Sequence, residues 1–396
     1  MQKQLIGLLL FTGSIAWAQQ PAQDSIPERN SLPEVLQRVP AAVNVISTEN
    51  LQRGDQVSLS NEINKAPGVF MQQGAINTSR ITIRGLGARS TYSTNRVKAY
   101  FEGIPLTTGE GETTLEDIDL NLIDRIEIIK GPASSSYGAS LGGVINISAI
   151  QPEYNTQKLS VEGMGGSFGL LKKSVLANLG GNKIAGLLTY NQLSTDGYRK
   201  NSDYDRKIVS FYGKTDVNSK SQLALFVNYT RLKAFIPSSI DEDDFKNEPQ
   251  KAAFTWGQAK GYESYDKVVA GLSYNWQIDT HSTWNTSIFT NYRDGYEPRP
   301  FDILDENSFA FGIRSNLKSS FDLFKIPAKS SIGVEYFDEN YKSKIFENLY
   351  ESNNGNGTLQ GDALSSQEQD RKYLNLFAQI NLQFTEGLKG EFGLSY

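Results

Sequence analysis

The chain has 396 residues, with 39 basic and 44 acidic side chains, one histidine and no cysteine. A net charge of −5 and the lack of a basic cluster argue against nucleic acid as a partner. Without cysteine the sequence excludes disulfides, thiolate metal ligands, thiol nucleophiles and a lipidated cysteine.

The first 18 residues are predicted to be a secretory signal peptide. Lys3 precedes an apolar run at residues 5–15, and Ala16, Trp17 and Ala18 resemble a cleavage site. The run is shorter than the roughly 20 apolar residues that a membrane-spanning helix needs, and no later stretch reaches that length. Any membrane insertion is therefore expected to use strands.

Two further segments precede the strand-rich part of the chain. Residues 19–38 are polar and contain Pro21 and Pro27, which predicts a flexible periplasmic leader. Residues 39–152 alternate short apolar segments with Gly, Pro and Ser turns, which predicts a compact α+β domain. One helix is expected in it, from an N-cap at Ser58 to a stop at Pro67.

Residues 153–396 are predicted to form antiparallel strands, because apolar and polar positions alternate along them. The breaks between strands alternate in length, as in up-and-down transmembrane barrels with tight periplasmic turns and long outer loops. Short breaks fall near residues 180–182, 217–219, 279–280, 323–327 and 386–387, and long polar ones near 194–204, 234–263, 295–306 and 343–370. We count about eleven strands, whereas closed bacterial barrels have an even number.

The most informative motif lies at residues 122–147. It reads LIDRIEIIKGP at 122–132, SSYGA at 135–139 and GGVINI at 142–147, which predicts two strands around a Gly-rich turn. Three shorter blocks precede it in order: VPAAV at 39–43, IRG at 83–85 and YFEGIP at 100–105. This ordered set, between a signal peptide and alternating strands, resembles the plug of TonB-dependent outer-membrane receptors, in particular the ferric-siderophore and ferric-citrate group.

The resemblance implies an α+β plug domain followed by an antiparallel transmembrane β-barrel in the outer membrane of a Gram-negative bacterium. Receptors of this family close about 22 strands, so we expect a partial barrel of about 11 strands and a C-terminally truncated chain. The implied function is energised uptake of a scarce ligand, a ferric siderophore or ferric citrate-type chelate. The implied partners are TonB with its ExbB/ExbD energy source, the chelate and outer-membrane lipid.

Other functions remain open at this point. A receptor of the same family could carry cobalamin, another metal or a carbohydrate. A non-transporting β-rich surface adhesion protein is an alternative from another class, but it has no need of the plug blocks. An enzyme is not expected, because Ser134 to Ser136 lack a paired histidine. Neither a cofactor nor a bound metal is expected, and the acidic run at residues 241–244 is better explained as a solvated loop.

The resemblance also implies roles for individual residues. Two outward loops are expected at residues 86–95 and 106–114. The side chains expected to lock the plug to the barrel wall are Arg84, Arg125, Glu127 and Lys130. The ligand-binding candidates at the plug apex are Arg89, Tyr92, Arg96, Thr107 and Thr108. Guanidinium and phenol groups suit an anionic ligand with carboxylate or catecholate groups, whereas Glu110 and Glu112 would oppose it.

In the family, a short segment near the mature N-terminus adds a strand to TonB, a case of β-augmentation. The candidate segment here consists of Leu32, Pro33, Glu34, Val35 and Leu36. It departs from the usual valine-rich run, because Pro33 cannot donate a hydrogen bond to a strand ladder.

Overall fold

The computed structural model describes residues 42–76, 78–87, 96–131, 137 and 140–396. The predicted signal peptide, the leader with its TonB candidates at residues 32–36, and the apex candidates Arg89 and Tyr92 lie outside the described residues. The described strands form a five-stranded, a two-stranded and an eleven-stranded sheet.

The first two sheets belong to the part of the chain before residue 150, which we call the plug. Its elements, in chain order, are β1 (Ala42–Ser47), α1 (Thr48–Arg53), α2 (Ser60–Ile63), β2 (Val69–Ala75), β3 (Thr78–Ile83), β4 (Val97–Phe101), β5 (Ile104–Pro105), the 3-10 helices Leu115–Asp117 and Leu120–Leu122, β6 (Ile123–Lys130) and β7 (Gly143–Ala149). The five-stranded sheet has the order β1-β6-β7-β4-β5, in which only β4 and β7 are parallel. Strands β2 and β3 pair as a separate hairpin.

The motif strand β6 alternates as its sequence predicts. Ile126 and Ile128 are fully buried in the plug core, whereas Arg125 and Glu127 on the opposite face are half-buried. All five residues of β4 are buried, since both of its faces are covered. A charged residue in such a strand needs a partner, and Lys98 of β4 is one.

The helices of the plug differ from the prediction. Helix α1 was not predicted; Ser47 caps it in a reciprocal box with Asn50 instead of the usual Glu or Gln at that position. The helix predicted from Ser58 to Pro67 is shorter, because α2 spans four residues only. The Asn64 side chain hydrogen-bonds the backbone N–H and carbonyl of Met71, at 2.7 and 3.1 Å, and so ties the end of α2 to β2.

The eleven-stranded sheet, which we call the wall, confirms the predicted number of strands. Each strand pairs antiparallel with the next along the chain, and β8 and β18 lie at the two edges of the sheet. The strands are β8 (Gln157–Gly165), β9 (Leu171–Gly180), β10 (Ile184–Thr195), β11 (Tyr204–Asn218), β12 (Ser221–Phe235), β13 (Tyr262–Gln277), β14 (Ser282–Arg299), β15 (Asp302–Leu323), β16 (Ile326–Asn348), β17 (Gln360–Gln383) and β18 (Lys389–Ser395).

Short helices interrupt two of the longer connections of the wall: α3 (Glu242–Asn247), α4 (Phe254–Ala259) and a 3-10 helix at Tyr350–Asn353. No helix in the described part of the chain is both long and apolar enough to cross a membrane.

Two of the predicted long breaks were wrong. Strands β14 and β15 stay paired up to Arg299 and Asp302, and β16 and β17 stay paired up to Asn348 and Gln360. Residues 295–306 and much of 343–370 are therefore strand. Apolar and polar side chains do not alternate regularly in these segments, but the backbone hydrogen bonds between the strands continue.

The two faces of the wall differ in chemistry. On β15, Phe309, Phe311 and Ile313 point away from the plug and are about half exposed, while Ala310 and Arg314 point toward it and are buried. Alternation of this kind is typical of strands whose outer face meets lipid. We call the plug-facing side of the wall its inner face.

Aromatic and aliphatic groups join the plug to the inner face. The ring of Phe101 lies 4.2 Å, centroid to centroid, from that of Phe226 on β12. Ile104 fills the space above Gly271 of β13, where a Cβ would lie 2.3 Å from its Cδ1 atom. A glycine is therefore needed at this wall position for the plug to approach so closely.

Candidate functional site

A buried carboxylate on the wall collects donors from both parts of the molecule. Glu335 of β16 forms ion pairs with Arg314 of β15 and with Lys98 of the plug, the latter at 3.4 Å. Its oxygens also accept hydrogen bonds from the hydroxyls of Tyr100 of the plug (3.1 Å) and Tyr373 of β17 (3.0 Å). We call these five residues the Glu335 cluster.

The charged groups of the Glu335 cluster are buried, so they depend on one another and not on water. Glu335 and Tyr100 are fully buried, and Lys98 and Arg314 are less than a tenth exposed. Burial lowers the pKa of Lys98, and the negative charge of Glu335 opposes this shift. The Arg314 guanidinium also lies 4.9 Å from the ring centre of Tyr100, a cation–π contact. The Lys98 charge thus depends on the plug staying against the wall, whereas Arg314 and Glu335 pair within the wall.

A second group of contacts, the Asp117 cluster, anchors the 3-10 helix Leu115–Asp117. The Asp117 carboxylate pairs with Lys267 of β13 at 2.8 Å and accepts a hydrogen bond from the Tyr265 hydroxyl at 2.6 Å. Its backbone carbonyl accepts from Asn228 (3.1 Å) and Thr230 (3.2 Å) on β12. All five residues are buried, so they fix the plug to β12 and β13.

Glu116, next to this cluster, is less well satisfied. Its backbone carbonyl accepts a hydrogen bond from Arg206 of β11 at 2.7 Å, and Ser79 donates to its Oε2 atom at 3.2 Å. The Oε1 atom is buried and has no hydrogen-bond partner among the described residues. Burial raises the pKa of Glu116 to about 7.

The outward loop at residues 106–114 also contacts the wall through charged groups. Arg293 of β14 binds Glu112 of this loop at 2.6 Å, and it also binds Glu263 (2.8 Å) and Glu306 (3.3 Å) of the wall. Burial alone would raise the pKa of Glu112, but the Arg293 guanidinium outweighs it and the pKa is lowered. Glu112 therefore acts as a wall contact in this structure.

A neighbouring arginine makes a similar set of contacts. Arg371 of β17 binds Glu339 of β16 at 3.1 Å and lies 3.7 Å from Glu110 of the loop. The Gly109 N–H lies 3.5 Å from Glu339, and a Cβ on Gly109 would lie 2.3 Å from that carboxylate. The loop therefore contacts the wall at Gly109, Glu110 and Glu112.

Three of the five ligand-binding candidates line one cavity of about 270 Å³, namely Arg96, Thr107 and Thr108. Lys98 and Tyr373 of the Glu335 cluster line it too. The Thr107 hydroxyl is committed within the plug, since it accepts from the Ala99 N–H at 2.9 Å. Arg96 is exposed and adjoins residues 88–95, which are outside the described part of the chain.

The four expected locking residues show contacts within the plug. Arg125 forms ion pairs with Asp124 (3.1 Å) and Glu127 (2.8 Å), and Lys130 donates to Asn44 and to the Pro67 carbonyl, at 2.8 Å for the latter. The backbone of Arg84 has a positive φ of 51° at the turn after β3. A role for these four in locking the plug stays a prediction.

The ion pairs that cross from plug to wall in the described part of the chain use other residues, which the sequence analysis did not select: Lys98, Glu110, Glu112 and Asp117. The sequence contained one signal for such an ion pair. Lys98 interrupts an otherwise apolar strand, and a buried lysine needs a carboxylate partner. The positions of Glu110 and Asp117, in polar turns, carry no such signal.

Comparison with known proteins fits this architecture. Residues 35–144 match the family described as the TonB-dependent receptor plug domain. The vitamin B12 transporter BtuB of Vibrio vulnificus (strain CMCP6) is 27% identical over 162 residues, which cover 39% of this chain and 26% of that protein. The chain thus spans about a quarter of the length of this curated relative.

Two solved structures share the fold of both plug and wall. The ferric citrate transporter FecA, in its unliganded form, superposes with a TM-score of 0.71 at 16% identity, over 90% of this chain and 62% of FecA. The ferric-catecholate import receptor Fiu of E. coli K12, in an open form, gives 0.69 at 17% identity, over 90% and 59%. The chain therefore carries a TonB-dependent receptor plug domain, set against a wall with the fold that FecA and Fiu share.

Proposed function

We propose that this receptor takes up a scarce anionic ligand, a ferric siderophore or ferric citrate-type chelate, with energy delivered through TonB and ExbB/ExbD. The observation that carries this proposal is the cavity of about 270 Å³ beside the outward loops. Arg96 lines it, and a guanidinium group binds carboxylate and catecholate oxygens, whereas the other cation that lines it, Lys98, is paired with Glu335. FecA and Fiu are receptors for ferric citrate and ferric catecholates, in keeping with such a ligand.

The mechanism requires differential binding and no covalent step. Ligand contacts at the apex act on the loop at residues 106–114, which Arg293 and Arg371 tie to the wall. The Glu335 and Asp117 clusters hold the plug in place. Disrupting such a buried pair costs several kcal/mol, so a ligand alone is a weak driver and an external source of work is needed.

The TonB contact is proposed for the segment before the plug. An extended peptide there would add a strand to a sheet edge of TonB, and pulling on it would load the plug through β1 and α1. The residues proposed for this contact are Leu32, Pro33, Glu34, Val35 and Leu36.

The proposal is tested with a strain from which the gene has been deleted and with the same strain complemented. Uptake of radiolabelled iron is measured with ferric citrate and with a ferric catecholate, and uptake of labelled cyanocobalamin is measured beside them. We expect the deletion to abolish uptake of one ferric chelate and complementation to restore it. Loss of cobalamin uptake alone would instead favour the alternative that the likeness to BtuB suggests.

The apex residue Arg89 gives a sharper test of the ligand class. A charge-assisted hydrogen bond is worth ~1.5–3 kcal/mol, so Arg89→Ala should weaken binding of an anionic ferric chelate by about 10- to 100-fold. Binding is measured on the purified receptor by titration calorimetry. Arg53→Ala is the matched control, because this arginine is an exposed plug residue that pairs with Glu49 on the same helix. If both variants bound the chelate with wild-type affinity, the ligand site would have to lie in the wall loops instead of at Arg89.

A further inference from the structure

A second and larger cavity lies at the opposite end of the plug. It has a volume of about 790 Å³, within the range of pockets that hold small ligands. Plug residues such as Glu102 and Asn146 line one side, and strands β11 to β17 line the other. His281, in the short β13–β14 hairpin, lies at its edge, so the cavity is on the side that short turns mark as periplasmic.

The wall side of this cavity is built from neutral polar side chains. Alternate inner-face positions of neighbouring strands carry Ser273, Asn285, Asn316, Ser331 and Gln379, which all line it. The same strands carry the carboxylates Glu263, Glu306 and Glu339 nearer the outward loops. No carboxylate of the wall lines the larger cavity.

Two lysines supply its charge. Lys318 of β15 and Lys329 of β16 line the cavity, and neither forms an ion pair within the described part of the chain. Ser331 pairs directly across from Lys318 and lies two residues from Lys329 on the same face. The two ammonium groups therefore flank a single surface of hydroxyl and amide groups.

The other charged groups at this cavity are already engaged. Arg314 is neutralised by Glu335, and Glu127, on the plug side, is paired with Arg125 at 2.8 Å. Among the described residues, Glu102 is the one carboxylate that lines the cavity. It accepts a hydrogen bond from the Ala149 N–H at 2.7 Å, and burial raises its pKa, which disfavours its charged form.

We propose that this cavity is a release vestibule that favours small hydrophilic anions, with Lys318 and Lys329 setting its positive potential. A low-dielectric cleft lined by one sign of charge concentrates ligands of the opposite sign. Serine and asparagine groups replace part of the hydration of such an anion without holding it tightly. This inference rests on the proposed uptake of an anionic chelate, and it adds a selecting step on the periplasmic side of the plug.

The potential of the vestibule can be measured without any natural ligand, because the chain contains no cysteine. Ser331→Cys places one thiol between the two lysines, and Ser219→Cys places one in the exposed β11–β12 hairpin as the matched control. The purified full chain is treated with an anionic or a cationic methanethiosulfonate reagent. We expect the anionic-to-cationic rate ratio to be severalfold higher at position 331 than at 219.

Removing the two lysine charges should weaken this preference. Adding Lys318→Gln and Lys329→Gln to the Ser331→Cys chain should lower the ratio by about threefold or more at low salt. Adding Lys220→Gln, which changes an exposed lysine of the β11–β12 hairpin, should leave it unchanged. Equal ratios at the two cysteines, or a ratio that does not respond to the lysine changes, would overturn the proposal.

Uptake then separates this inference from the proposed function. In cells, the Lys318→Gln, Lys329→Gln receptor should bind radiolabelled ferric chelate at the surface with wild-type affinity but internalise it severalfold more slowly. A wild-type receptor that takes up no ferric chelate would refute the proposed function, whatever the labelling ratio. Wild-type uptake together with unchanged uptake by the double variant would refute the vestibule alone.

Discussion

Glu335→Ala is expected to loosen the plug from the wall. The substitution removes one acceptor shared by Lys98, Arg314, Tyr100 and Tyr373, and it takes from the buried Lys98 the carboxylate that pairs with it. Breaking a buried pair in this way costs ~3–5 kcal/mol, because the remaining charge keeps its desolvation penalty. The change is measured as a lower denaturant midpoint of the purified receptor and as increased entry of a large antibiotic into cells.

The control for this variant is Glu368→Ala on the neighbouring strand. Glu368 pairs with Lys342 at 3.0 Å, but both side chains are more than half exposed, so solvent and salt screen the pair. This variant should unfold and exclude antibiotic as the wild type does. If the Glu335 variant also behaved as the wild type, the cluster would not hold the plug.

A triple variant distinguishes loss of a contact from burial of bare charge. Changing Glu335, Lys98 and Arg314 together to leucine, methionine and methionine removes all three charges at similar volume. Such replacements of buried ion groups are often neutral or stabilising, so stability should recover relative to Glu335→Ala. If the triple variant regains antibiotic exclusion but not uptake, the three charges are needed for movement of the plug and not for holding it against the wall.

Much of the fold could be predicted from local patterns. Strand β6 was found from two buried isoleucines in alternation, and the tight hairpins of the wall from short polar breaks. The errors arose in segments where apolar and polar side chains do not alternate but the backbone still forms the hydrogen bonds of a strand. Residues 295–306 contain two prolines and show no regular alternation of apolar and polar side chains, so only pairing with a neighbouring strand reveals them as strand.

The contacts that hold the plug could not be predicted in the same way. Lys98 and Glu335 are separated by 237 positions, and Asp117 and Lys267 by 150. No local spacing joins residues so far apart. The apolar surroundings of Lys98 predict that it has a partner, but the choice of partner depends on which wall strands face β4. The fold must be known before the site can be assembled.

The two clusters also suggest how the plug is held unevenly. The Glu335 cluster ties β4 to β15, β16 and β17, and the Asp117 cluster ties the 3-10 helix Leu115–Asp117 to β12 and β13. The Glu335 cluster places two cations around one carboxylate. Glu116, next to Asp117, adds a carboxylate whose Oε1 atom has no hydrogen-bond partner in the described part of the chain. The contacts of the Asp117 cluster and of Glu116 are therefore the plug contacts that a change of pH should affect.

Glu116 is expected to make the stability of the plug fall as pH rises. Its pKa is about 7 in the folded protein, compared with 4.5 for an ordinary glutamate, so the folded state binds the proton more tightly than the unfolded state. The stability that this proton contributes is fully present below pH 4.5 and is lost as pH rises through 7. The loss amounts to roughly 3 kcal/mol, since one pKa unit corresponds to ~1.4 kcal/mol.

Glu116→Gln should remove this dependence, because an amide keeps a similar shape and does not ionise. The free energy of unfolding of the purified receptor is measured by denaturant titration between pH 4.5 and 8. The wild type is expected to lose more stability over that range than the variant. The control is Glu49→Gln, an exposed plug residue, which should retain the wild-type slope. The charges nearest Glu116, on Arg206 and Asp117, are present in both variants, so they cannot produce the difference. A wild-type slope in Glu116→Gln would show that this carboxylate is ionised and solvated in the folded receptor.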